Sequence, residues 1–89
     1  MKNTLYAVKD DLSEFATPIA LMARSDDEIA KRYFRKMCQT TEIMKGNEDQ
    51  FSLYKVGEYN TESGKITSYE PIMIERGVKT YVNTIQNEG

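Results

Sequence analysis

The sequence predicts an α+β domain, a small antiparallel sheet in the order β-β-α-β-β with one amphipathic helix on one face and a C-terminal tail. Three observations lead there. The run from Phe51 to Gly64, FSLYKVGEYNTESG, passes from strand-forming aromatic residues into a polar turn closed by glycine. Lys65 to Tyr69 then resumes an extended pattern, so the segment reads as a β-hairpin with a four- or five-residue loop. Apolar residues recur at helical spacing behind a capping signal at Ser25, and two short apolar runs precede that helix.

In chain order, Thr4 to Val8 (TLYAV) reads as the first strand and Lys9 to Glu14 as a polar connection. Pro18 precedes Ile19-Ala20-Leu21-Met22, the second strand. Ser25 is the expected N-cap, with Glu28 three residues on completing a capping box. Asp26, Asp27 and Glu28 place negative charge in the first turn, where the helix dipole favours it. At 100° per residue, Ile29, Ala30, Tyr33, Phe34, Met37 and Cys38 share one half of the wheel, and Lys31, Arg32, Arg35, Lys36 and Gln39 the other. Thr40 and Thr41 weaken the helix, and Gly46-Asn47 stops it. In the hairpin, strict alternation sets Tyr54 and Val56 on one face and Phe51, Leu53 and Tyr59 on the other. Pro71 belongs on an edge strand or at a bulge, after which Ile72-Met73-Ile74 resumes the extended pattern.

The chain has 89 residues, enough for one domain, expected over residues 1–77. Residues 78–89 form a tail expected to be weakly helical or flexible. One helix covers at most one face of the sheet, so apolar side chains on the other are expected to be covered by self-association, as a homodimer, or by the tail. No apolar run approaches the roughly 18 residues that span a bilayer, and the N-terminus lacks a signal peptide's apolar centre. The single cysteine, Cys38, excludes an internal disulfide, and the composition points to the cytoplasm.

The net charge is −2, which disfavours a dedicated nucleic-acid binder. The charge is uneven, however. Residues 1–23 sum to −1, residues 24–39 to +2 and residues 40–89 to −3. Any attraction to phosphate is therefore centred on the helix. Without histidine, no Cys-His nucleophile exists, and no phosphate-binding loop or dinucleotide motif occurs. No catalytic residue, cofactor or metal is expected. The carboxylates Asp26-Asp27-Glu28 are explained by the helix start, and Asp10-Asp11-Glu14 lack the spacing of a calcium loop.

Tyr6-Ala7-Val8-Lys9-Asp10, Pro18, Asp26 to Phe34 with Ala30 and Arg32, Phe51-Ser52-Leu53-Tyr54, Gly57-Glu58-Tyr59 and Gly64 occur in an order and spacing that span most of the chain. In this the chain resembles the small non-structural protein of gokushoviruses, Microviridae with circular single-stranded DNA genomes. Where that family commonly has Pro-Glu-Asp before the aromatic-Ser-Leu run, this chain has Asn47-Glu48-Asp49-Gln50, without the proline and with Gln50 at the last acidic position. The resemblance implies a protein of the host bacterial cytoplasm, absent from the virion and acting in phage DNA replication. It brings no catalytic motif.

The residues expected to bind nucleic acid are Arg24, Lys31, Arg32, Arg35 and Lys36 on the basic helix face, with Tyr54 and Lys55 from the hairpin. Arginine offers bidentate phosphate contacts and exposed rings offer stacking surfaces for unpaired bases. The same cations also suit a solvated helix face, with Glu28 pairing to Lys31 or Arg32. Tyr6, Tyr54, Tyr59 and Tyr69 also suit a core or a dimer interface. Two non-enzymatic functions stay open. One is single-stranded DNA binding that favours single-stranded genome synthesis. The other is a protein–protein adaptor engaging a viral or host replication factor.

Overall fold

A computed structural model describes residues 2–14 and 18–79. Its elements are β1 (Lys2–Asp10), β2 (Ala20–Arg24), α1 (Asp27–Thr40), a 3-10 turn (Glu48–Gln50), β3 (Phe51–Asn60) and β4 (Ile66–Arg76). The strands form one antiparallel sheet in the spatial order β2-β1-β3-β4. The expected order of elements is thus present. The expected tail lies outside the described residues from residue 80 onward. Among the described residues, no helix is long and apolar enough to cross a membrane.

One face of the sheet meets α1. Tyr6 and Val8 of β1 and Phe51 and Leu53 of β3 are buried there against Ala30, Phe34 and Cys38 of α1, with Met44 closing the end. The three helical residues are four apart, so they stack as one stripe along the helix. Ala20, Met22, Met37 and Ile74 pack around this cluster.

The N-cap differs from expectation by one residue. Asp26, not Ser25, caps α1, with extended backbone and Oδ1 accepting the Ile29 N–H at 2.9 Å. The carboxylate is the stronger acceptor for the orphan amide, and Ile29 then occupies the position a capping box reserves for Glu. Glu28 is left to pair with Lys31. Thr41 is the C-cap and donates its N–H to the Met37 carbonyl, where the threonines were expected to weaken the helix.

The hairpin turns as its sequence implies. Asn60 Oδ1 accepts from the Glu62 and Ser63 amides, Asn60 O accepts from Gly64 N, and Gly64 takes φ +77°. Only a residue without a Cβ adopts that φ cheaply. Alternation along β3 fails once. Tyr6 lies opposite Lys55 but Leu5 lies opposite Gly57, so Val56 is an inserted residue and the facing pattern inverts beyond it. Tyr59 therefore shares the face of Tyr54, correcting its assignment to the side of Phe51 and Leu53. Pro71 sits on β4, an edge strand, beside the register shift between Lys55 and Gly57.

Candidate nucleic-acid interface

The basic helix face divides in two. Lys31 and Arg35 project on one flank of the buried stripe, and Arg32 and Lys36 lie about 100° further round the helix. Carboxylates neutralise the first flank. Lys31 Nζ lies 3.4 Å from Glu28 Oε2, and Arg35 grips Glu75 of β4 with two bonds of 2.7 Å. A bidentate arginine–carboxylate pair fixes a side chain in one geometry, so Arg35 serves as a strap between α1 and β4.

The second flank forms an open groove of about 340 Å³ lined by Ile29, Arg32, Tyr33 and Lys36. Tyr33 is 48% exposed, although its wheel position placed it in the apolar half. Arg24, at the end of β2, lays its guanidinium 4.2 Å from the Tyr33 ring centroid, and its Nη1 donates to the Ala23 carbonyl at 2.8 Å. Among the described residues, the buried Arg24 Nε has no hydrogen-bond partner. Stacking on the ring holds this cation beside the groove. Three cations, an exposed aromatic ring and an apolar floor thus converge on one surface. Sequence reasoning missed Tyr33 and Ile29 as members of it. The spacing 29-32-33-36 carries the signal, because i, i+3, i+4 and i+7 form one helical stripe.

The remaining expected residues lie elsewhere. Lys55 faces the helix side of the sheet, with Nζ 3.3 Å from Asp27 Oδ2. Asp27 also accepts the Tyr6 hydroxyl at 2.5 Å, which with Lys55 holds its carboxyl below the ordinary 3.8. Burial, and then donation to Asp27, push the Tyr6 phenol up. Tyr54 stands on the face away from α1, opposite Ala7 and Met73. Tyr54 and Lys55 are therefore not brought together with Arg24, Arg32 and Lys36.

The acidic groups have partners within the fold. Asp10 Oδ1 accepts the Leu12 amide, and Asp11 accepts the Ser52 hydroxyl and pairs with Arg76. Among the described residues, no group of His, Cys, Asp and Glu is placed to hold a metal ion. Cys38 is buried in the core, and burial, with Glu48 and Glu75 nearby, pushes its thiol up to about 12.

Fold and groove together define a small α+β domain with a cationic, aromatic helix surface. The family described as Phage ORF5 protein matches residues 3–80, and the chain belongs to that family. No curated protein and no solved structure matches the chain.

Proposed function

We propose that this phage protein is a non-enzymatic accessory factor of single-stranded DNA genome replication, of the gokushovirus type, working in the host cytoplasm outside the virion. It binds single-stranded DNA along the groove of Arg24, Ile29, Arg32, Tyr33 and Lys36. The observation that carries this reading is the exposed Tyr33 ring flanked by Arg24, Arg32 and Lys36, which have no carboxylate partner among the described residues. A base stacks on a tyrosine face whichever base it is, and neighbouring phosphates meet the guanidinium and ammonium groups. A duplex hides its base faces, so the groove prefers single strands. A protein holding the displaced strand keeps it from being copied into duplex and so favours single-stranded genome synthesis.

Three phosphate contacts give a salt dependence of about −2 in log K against log salt, at roughly −0.7 per contact on single strands. Fluorescence anisotropy of labelled single-stranded and duplex oligonucleotides at two salt concentrations tests the proposal. Salt-sensitive binding that prefers the single strand supports it. No binding at low salt overturns it and favours the adaptor reading, in which the acidic remainder of the chain engages a replication protein.

A further inference from the structure

The groove on α1 has two unlike walls. Residues four apart on a helix stack into rows, and neighbouring rows are linked by residues three apart. One row is Ile29–Tyr33 and the next is Arg32–Lys36, so an apolar, aromatic wall runs beside a cationic one. Both rows are short. Toward the N-terminus the cationic row continues as Glu28, the partner of Lys31. Toward the C-terminus it continues as Thr40, whose hydroxyl donates to the Lys36 carbonyl at 2.9 Å. A carboxylate at one end and an uncharged side chain at the other leave two cations, about 6 Å apart along the axis. The apolar row passes into Met37, which packs against the core. Arg24 lies over the Tyr33 ring without lining the groove, so the ring has one face left to offer.

We infer that the groove is a one-nucleotide site, in which a single base stacks on the open face of Tyr33 above Ile29 and the phosphates on either side of it meet Arg32 and Lys36. This rests on the groove being a single-strand site, and adds how much of the strand each chain grips. Arg24, behind the ring, is left for the next phosphate along. One ring with one open face holds one base. The groove's volume of about 340 Å³ lies near the bottom of the roughly 300–1,000 Å³ range of ligand pockets, room for one nucleotide and not for two. Longer single-strand grooves cover about 4–16 nucleotides per domain. Here a longer strand gains affinity only from the number of places at which a chain can bind.

The test is an amide chemical-shift titration of the labelled full chain with 5′-phosphorylated oligothymidines of three to about sixteen nucleotides, the longest of those footprints. Such titrations follow binding into the millimolar range. The dissociation constant, corrected for the number of binding positions, should stay level from the trinucleotide upward. A trinucleotide without its bases should bind about five- to a hundredfold more weakly, the loss of one base–aromatic stack. Tyr33→Ala should weaken the thymidine trinucleotide by the same factor and leave the abasic one unchanged. Should that variant unfold, the thymidine–abasic comparison on the wild type gives the same reading. A corrected affinity that climbs by about 10²-fold or more with length reveals several contacts acting together, and overturns the one-nucleotide site while the single-strand site stands. An abasic strand that binds as well as thymidine also overturns it. Binding of no length at low salt overturns the single-strand reading and the one-nucleotide site with it.

Discussion

The Tyr6 hydroxyl donates a 2.5 Å hydrogen bond to Asp27 Oδ1, joining the middle of β1 to the first residue of α1. Lys55 of β3 takes the other carboxylate oxygen at 3.3 Å. One carboxylate therefore fixes the helix start against two adjacent strands. Tyr6 is fully buried, so losing its partner strands a hydroxyl away from water, whereas losing the hydroxyl leaves Asp27 partly hydrated. Tyr6→Phe should destabilise by about 1–2 kcal/mol in urea unfolding, and Asp27→Ala by at least as much. Wild-type stability in both variants would show that this junction contributes nothing.

The same bond sets an acid dependence. Donation by Tyr6 first, and then Lys55, hold the folded Asp27 carboxyl below the 3.8 expected when unfolded. A depressed carboxyl stabilises the fold fully above its unfolded value, and that contribution is lost as pH falls through the folded value. The stability gap between wild type and Tyr6→Phe should therefore narrow as pH falls below about 3.8. Urea titrations at neutral and acid pH measure it, and a gap that widens in acid would contradict the assignment.

Gly77 follows β4 where the chain passes against the turn after α1. Its amide donates to Phe51 O at 2.9 Å, and a Cβ there would overlap the Glu48 carbonyl. The clash is with backbone, which cannot rotate away. Gly77→Ala should cost about 1–3 kcal/mol. At roughly 4–8 °C per kcal/mol for a domain of this size, thermal melting resolves that easily. An unchanged melting temperature would place the β4 end elsewhere.

Arg35 and the pair Arg32, Lys36 should separate experimentally. Arg35→Ala leaves the largely buried Glu75 carboxylate without its bidentate partner and should lower stability by about 1–3 kcal/mol. Single-strand affinity should change little, because Arg35 stands apart from the groove. Arg32→Glu with Lys36→Glu should leave stability within about 0.5 kcal/mol and abolish salt-sensitive binding. Anisotropy and urea melts on both variants check the split, and the reverse pattern would refute it.

Cys38 should resist modification. Its thiol is pushed up to about 12 by burial and neighbouring carboxylates, so thiolate is scarce at pH 8. A disulfide-exchange reagent should react far more slowly with the folded protein than with protein in denaturant. Fast reaction in the native state would mean that the core opens readily at the end of α1.

The fold was legible because local signals agreed. The hairpin turn residues, the acidic helix start and the wheel stripe Ala30-Phe34-Cys38 each led to an observed element. What alternation could not show was the inserted Val56, since a bulge has no periodic signature and inverts every facing residue after it. The candidate site was half legible. Charge density pointed to the helix, but the wheel treats all its cations alike. Only the tertiary fold brings Glu75 of β4 to Arg35, forty residues away in sequence, and Arg24 to Tyr33. Tyr33 looked like core because its wheel position borders the apolar half. In the fold the Arg24 guanidinium lies over that ring, which stays 48% exposed.

The most direct measurement is the map of amide chemical-shift changes when an unlabelled oligothymidine is titrated into the isotope-labelled protein. Saturable changes clustered at Arg24, Ile29, Arg32, Tyr33 and Lys36 are the predicted result. Changes centred on Tyr54 and the outer sheet face, or no changes at low salt, would contradict the assignment of this groove to single-stranded DNA.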